Sequence, residues 1–142
     1  MGKRVRRIGF DRDRGTESDV CNGDSWVLWG RCYGTGQASG AAAVGPVVDG
    51  IHGAHMLSAA KHFPGHGDTS VSSETQLPQI NESLASLRAR DWPPFVAAAQ
   101  HGTAVALPGH RSYPAIQRPH PPEPAPRRSP RPRTGGGCEG WG

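Results

Sequence analysis

The sequence predicts an α/β domain built on a parallel sheet, and two observations carry that prediction. Helical and strand patterns alternate between about residues 38 and 107, in the order typical of parallel α/β sheets. A short apolar segment, 56–62, leads directly into a dense polar loop, and the catalytic side chains of α/β proteins often lie in such loops. The 142 residues suffice for one modest domain.

Composition divides the chain into three parts. Residues 1–25 mix charged residues with Gly and Ser and show no hydrophobic period, so we expect them to be irregular or disordered. Residues 26–117 form the expected domain, beginning with an apolar cluster at 26–29. Residues 118–142 are rich in Pro, Arg and Gly, with seven of the chain's 14 prolines between Pro119 and Pro132. This composition predicts a disordered tail.

Each element of the middle part has its own signal. Val44, Val47, Val48 and Ile51 are spaced for one helical face, with Pro46 predicted to start or kink that helix. A strand is expected at 56–62. A helix capped by Asn81 should follow and end near residue 90, and a second helix should begin at 93. The second helix should bury Trp92, Phe95, Val96 and Ala99 and end at 101–102. Residues 103–107 then predict a buried strand.

Charge and cysteine content narrow the functional class. The net charge of +4 lies at the two ends, which indicates solvated arms more than a nucleic-acid surface. The three cysteines have no C-x-x-C spacing, so we expect reduced thiols and neither a disulfide framework nor a zinc knuckle. With no secretory or membrane-spanning apolar run in the sequence, we expect a cytoplasmic location and no membrane partner.

The densest chemistry lies at residues 61–69, Lys-His-Phe-Pro-Gly-His-Gly-Asp-Thr. A metal site of His62, His66 and Asp68 is disfavoured, because Pro64-Gly65 breaks the helix that the histidine spacing would need. A phosphate cradle at 65–68 is disfavoured by its few glycines. Two interpretations stay open: polar ligand contacts through Lys61 and His62, such as bonds to sugar hydroxyls, and a solvated loop.

Segment 61–69, followed by Leu77-Pro78, closely resembles the signature of glycoside hydrolase family 3, in its β-N-acetylhexosaminidase (NagZ-type) branch. Three flanking segments are similar to further elements of the family. These are Gly-Arg-Cys-Tyr-Gly at 30–34, Asp-Trp-Pro-Pro-Phe at 91–95, and the strand from 104 that continues through His110 to Tyr113-Pro114. The resemblance covers residues 26–117.

The resemblance implies a fragment of a (β/α)₈ TIM barrel, with the pocket at the C-terminal ends of the strands. It implies an amino-sugar glycoside as substrate, with Arg31, Lys61 and His62 holding the N-acetylglucosamine ring and His66 and Asp68 supporting the loop. Neither a cofactor nor a metal is expected, since two protein groups suffice for this chemistry. A partial barrel is also expected to associate with a partner that covers its exposed edges.

The implied mechanism is hydrolysis with retention, through an Asp nucleophile and an Asp-x-His pair that supplies the acid/base. Ser72 and Glu74 occupy the positions of that pair, so Glu74 is the candidate acid/base, with a solvated loop glutamate as the alternative. No Asp matches the nucleophile, because the Pro/Arg-rich segment follows Tyr113-Pro114 directly. We therefore expect a truncated family member, with an inactive sugar-binding fragment as the alternative function.

Overall fold

The computed structural model describes residues 2–21, 26–28, 30–34, 36–66 and 69–117. Its sheet has three strands, β1 (Arg12–Glu17), β2 (Leu57–Phe63) and β3 (Val105–Pro108). Both neighbouring pairs are parallel, and β2 lies in the centre. The carboxyl ends of the strands therefore meet at one edge of the sheet. This confirms the predicted α/β class with a parallel sheet.

Four helices accompany the sheet in the described residues: α1 (Gly2–Arg7), α2 (Gln37–His52), α3 (Leu84–Ser86) and α4 (Pro93–Gln100). A 3₁₀ turn spans Trp26–Leu28, and a π-helical turn, Leu87–Asp91, continues α3. Helix α2 does not start at Pro46, which lies inside it. It begins nine residues earlier, at Gln37, where Gly36 and the Ser39 hydroxyl form the cap. Helix α3 is capped by Ser83 instead of the predicted Asn81, with Ser83 Oγ accepting the Ser86 N–H at 3.0 Å.

The main core lies between α2, β2 and α4. Val44 and Val48 of α2 pack with Ala60 of β2 and with Phe95 and Ala98 of α4, and all five are buried. The i, i+4 spacing in α2 produces this contact, because residues one turn apart share a helix face. The core therefore fixes β2, and with it the start of the polar loop at its carboxyl end.

The burial of residues at the β3 edge of the sheet differs from the prediction. The strand predicted at 103–107 was expected to be buried, but Val105 of β3 is 49% exposed. Val96 of α4, predicted to be buried, is 51% exposed. The physical reason is that β3 is the edge strand of the described sheet, with no described strand beyond it. Val96, Ala99 and Val105 instead line an open apolar groove of about 310 Å³.

The prediction that residues 1–25 are irregular or disordered is wrong for two of their segments, since 2–7 form α1 and 12–17 form β1. Strand β1 arises from its backbone ladder to β2, in which Arg12 pairs with Leu57 and Glu17 with Lys61. Helix α1 is held by Val5, which packs on a buried cluster of Ile51, Ala54 and Met56. Long-range contacts, absent from any local pattern, therefore order this end.

The prediction of reduced thiols and no disulfide is also wrong. Cys21 and Cys32 form a disulfide, with their Cα atoms 5.9 Å apart. The sequence separation of 11 residues gave no pairing signal, because the turn at 26–28 brings the two cysteines together only in the folded chain. The bond ties the segment that follows β1 to the segment that carries Arg31.

The predicted tail, 118–142, and the candidate residue Asp68 lie outside the described residues. Among the helices of the described part, none combines the length and the apolar character that crossing a membrane requires.

Candidate active site

A polar cleft lies at the carboxyl edge of the sheet, where β1 and β2 end side by side. Its volume is about 320 Å³. One side, which we call the sheet wall, consists of Arg31, His62 and His66, with Glu17 and Asp19 directly behind them. The opposite side, which we call the loop wall, consists of residues 72–74. The parallel register places Glu17 of β1 opposite Lys61 of β2, which explains why acidic and basic residues converge here.

Asp19 organises the sheet wall. Its carboxylate is buried and accepts the Nδ1–H of His62 at 2.8 Å and the backbone N–H of His62 at 3.1 Å. It also accepts the backbone N–H of His66 at 2.6 Å. A buried carboxylate needs such donors, because desolvation without them is costly. One side chain from the end of β1 therefore fixes both the ring of His62 and the turn that follows β2.

Glu17 links the two residues expected to contact the ligand. Its Oε2 accepts a hydrogen bond from Arg31 Nη2 at 2.9 Å, and its Oε1 lies 3.2 Å from His62 Nδ1. Glu17 is only 5% exposed, whereas the Arg31 side chain is 49% exposed. The carboxylate thus holds one nitrogen of the guanidinium group, while about half of the Arg31 side chain stays accessible.

Burial and charge shift the pKa values of these groups in different directions. Burial raises the pKa of Asp19 to about 6, against the opposing effect of the His62 hydrogen bond. Burial alone would also raise the pKa of Glu17, but the neighbouring His62 and Asp19 side chains and the charge of Arg31 lower it overall. For His62, burial lowers the pKa, and the two carboxylates outweigh it and raise the pKa. The imidazolium form is therefore favoured.

The loop after β2 is shaped by close packing. Gly65 has a φ of +140°, and a Cβ there would lie 2.7 Å from the Cβ of Asp91, so glycine is required twice over. The Tyr113 hydroxyl donates to the Gly65 carbonyl at 2.7 Å. These contacts bury the His66 ring, which is 2% exposed and meets the His62 ring edge-on at 5.5 Å.

The candidate residues are only partly brought together. Arg31, His62, His66 and Glu74 all line the cleft. Lys61 does not line it: its backbone carbonyl accepts the Ser18 N–H at 2.7 Å, which joins the segment after β1 to β2.

Within the described ranges, the hydrogen bonds of the loop wall come from its own backbone and hydroxyl groups. The backbone N–H of Glu74 donates to Ser72 Oγ at 3.3 Å, and Thr75 Oγ donates to the Ser72 carbonyl at 3.2 Å. Glu74 is exposed to solvent. Its carboxylate therefore faces a wet cleft, without the buried donors that fix Asp19.

Glu17 and Asp19 are the functional residues that sequence reasoning missed. They lie in the charged N-terminal stretch, which has no hydrophobic period. The one local signal in the sequence is the end of the run of arginines and aspartates at Thr16, where Thr-Glu-Ser-Asp-Val-Cys begins. An acidic pair spaced i, i+2 at the end of a strand would then have indicated a site at the sheet edge.

Comparison with known proteins identifies the family. A family model, the N-terminal domain of glycosyl hydrolase family 3, matches residues 1–128. The chain belongs to glycosyl hydrolase family 3. The match includes residues 1–25, which were not expected to resemble the family.

Relatives within glycosyl hydrolase family 3 share this part of the fold. A beta-hexosaminidase of Pseudomonas aeruginosa is 30% identical over 125 residues, covering 88% of this chain and 36% of the relative. NagZ from Neisseria gonorrhoeae aligns with a TM-score of 0.77 and 28% identity, over 82% of this chain and 34% of that one. A beta-N-acetylglucosaminidase from Paenibacillus aligns with a TM-score of 0.78 and 28% identity, covering 82% and 22%.

The chain thus spans about a third of the length of the curated relatives it matches.

Proposed function

We propose that this protein is a β-N-acetylhexosaminidase-type glycoside hydrolase, which acts on terminal N-acetylglucosamine with retention of configuration. The observation that carries the proposal is the sheet wall, where buried Glu17 and Asp19 aim Arg31 and His62 into a polar cleft. Membership of glycosyl hydrolase family 3 and the names of the relatives support the same activity.

We propose that β1, β2 and β3 are consecutive strands of a (β/α)₈ barrel. Their parallel order supports this, and so does the position of the cleft at their carboxyl ends, where barrel enzymes bind substrates. The open apolar groove beside β3 is the place where a following strand and helix would pack. A partner that covers this groove is part of the proposal, because an exposed strand edge favours association.

In the proposed complex, Arg31 and His62 donate hydrogen bonds to the sugar. An arginine and an imidazolium offer charged N–H groups, which form stronger hydrogen bonds than neutral donors do. Asp19 keeps the Nδ1 edge of His62 occupied, so the Nε2 edge is left for the ligand. His66 supports the loop, and the same supporting role is proposed for Asp68. We also propose that Lys61 contacts the sugar ring. Because Lys61 does not line the described cleft, its side chain would have to reach the sugar from outside it.

The proposed chemistry needs two carboxyl groups. Glu74, as the acid, donates a proton to the glycosidic oxygen while a carboxylate attacks the anomeric carbon, so that the aglycone leaves and a glycosyl-enzyme ester forms. Glu74 then accepts a proton from the water that hydrolyses the ester. Among the described cleft residues Glu74 is the only carboxylate, so the nucleophile must come from elsewhere.

Release of nitrophenol from 4-nitrophenyl N-acetyl-β-glucosaminide tests the proposal. Turnover by the full chain requires a nucleophile from outside the described cleft, and that turnover should fall by about 100-fold in Glu74→Gln, the size typical of a missing acid/base. Glu82→Gln is the matched control, because Glu82 pairs with Arg90 away from the cleft and should leave the rate unchanged. No turnover at high protein concentration would reject the activity for this chain and leave the inactive sugar-binding alternative.

A cytoplasmic location also stays a proposal. The Cys21–Cys32 disulfide weighs against it, because disulfides persist mainly in oxidising compartments. Fractionation of the source cells would decide, with recovery outside the cytoplasmic fraction counting against the proposal.

A further inference from the structure

We propose that Glu17, Asp19 and His62 form a binding site for one divalent cation, with zinc as the best-fitting ion. The donor atoms are Oε1 of Glu17, Oδ2 of Asp19 and Nδ1 of His62. They lie on the side of the imidazole away from the edge assigned to the sugar. The site therefore lies beyond the proposed glycosidase function and does not depend on it.

The distances between the donor atoms are close to those of a metal site. One ligand atom from each of the three residues lies within 4.8 Å of the other two. His62 Nδ1 is 2.8 Å from Asp19 Oδ2 and 3.2 Å from Glu17 Oε1. Zinc–ligand bonds of about 2.0–2.2 Å in a tetrahedral arrangement put neighbouring ligand atoms roughly 3.3–3.6 Å apart. A cation can therefore enter with movements of well under 1 Å at these two contacts, while the carboxylates close around it.

An unpartnered buried atom points to the same place. Glu17 Oε1 has no hydrogen-bond partner among the described residues, although Glu17 is only 5% exposed. The single Nδ1 proton of His62 is directed at Asp19, so it cannot also satisfy Glu17. Leaving such an acceptor buried and unsatisfied costs about 1–3 kcal/mol or more for a charged group. A cation that displaces the Nδ1 proton of His62 to solvent satisfies both carboxylates and the imidazole together.

The groups behind the donor atoms hold them in orientation. Asp19 Oδ1 accepts the His66 backbone N–H at 2.6 Å, and Glu17 Oε2 accepts Arg31 Nη2 at 2.9 Å. In each carboxylate, one oxygen is thus fixed by a donor while the other faces the cluster. Such outer contacts orient metal ligands and raise their affinity.

The ligand set favours zinc over other common divalent ions. Imidazole and carboxylate ligands suit Zn²⁺, which takes three protein ligands and leaves a fourth position for water. Calcium needs six to eight oxygen ligands, which three side chains do not supply. His62 also lines the cleft of about 320 Å³, so an ion and its water have a route to the site.

Isothermal titration of the full chain with zinc chloride, after treatment with a chelator, tests the proposal. We expect one zinc per chain, with affinity reduced by about 10-fold or more in Glu17→Gln, which keeps the shape and removes the charge. Asp49→Asn is the matched control, because Asp49 and His101 form an exposed carboxylate–imidazole pair at 2.9 Å. That variant should bind zinc as the wild type does.

Two outcomes would overturn the site: no stoichiometric zinc binding by the wild-type chain, or equal affinity in wild type and Glu17→Gln. Circular dichroism establishes that each variant is folded. If Glu17→Gln is unfolded, titration of the wild-type chain with cobalt chloride replaces it. Visible bands of four-coordinate cobalt with nitrogen and oxygen ligands support the site, and their absence rejects it.

Discussion

The two walls of the cleft differ in what holds them. In the sheet wall, Asp19 bonds to His62 and His66, which lie 43 and 47 residues further along the chain. In the loop wall, the hydrogen bonds of residues 72–75 in the described part reach no further than residue 76. Long-range contacts between buried groups fix a geometry, whereas short-range bonds in an exposed turn leave it adjustable. The sheet wall, which is proposed to bind the ligand, is therefore specified by the fold, and the position of the candidate acid/base is not.

The largest effect is expected from breaking the sheet wall at its centre. Asp19→Ala removes three accepted hydrogen bonds and leaves His62 without its buried partner, so we expect a loss of about 3 kcal/mol in the free energy of unfolding. Urea titration followed by far-UV circular dichroism measures it. Asp49→Ala, which breaks an exposed pair, should cost under about 1 kcal/mol. Equal effects of the two variants would contradict the central role of Asp19.

A second, smaller effect is expected at the covalent link between the sheet wall and the Arg31 segment. Cys32→Ser removes the disulfide, whose closed loop of 11 residues corresponds to about 2–3 kcal/mol of stability in the chain-entropy model. Urea unfolding with and without a reducing agent measures the difference. Cys138→Ser is the control, since it removes the third thiol and should change nothing. If reduction leaves the wild-type midpoint unchanged, the disulfide does not stabilise this wall.

The smallest change in stability is expected in the loop wall. Glu74→Gln alters an exposed side chain, and we expect a change of less than about 0.5 kcal/mol in the free energy of unfolding. The same urea titration measures it. A loss comparable with that of Asp19→Ala would show that the two walls are not held differently.

Sequence reasoning found the elements that carry their own local pattern. Helix α2 was predicted from the spacing of Val44, Val48 and Ile51, and all three are buried. The polar loop was found because His62 lies near the end of a short apolar strand and His66 lies just after it. Strand β1 was missed, because its ladder to β2 defines it and its side chains are largely polar.

The parts that sequence reasoning missed depend on pairings between distant segments. The disulfide needs the turn at 26–28 to bring Cys21 to Cys32, and no local pattern encodes that approach. Asp19 became visible as a site residue only once β1 was placed beside β2. Val96 and Val105 show the opposite kind of error. Helix α4 and strand β3 form as their apolar patterns predict, but these two side chains are exposed in the described structure.

The most direct test of the account is the affinity of the full chain for N-acetylglucosamine, measured by titration calorimetry on two variants. His62→Ala should weaken binding by about 10-fold or more, because it removes a charged donor of the sheet wall. Glu74→Gln should bind as the wild type does, because the loop wall is proposed to act in catalysis and not in holding the ring. Unchanged affinity in His62→Ala together with lost affinity in Glu74→Gln would contradict the account.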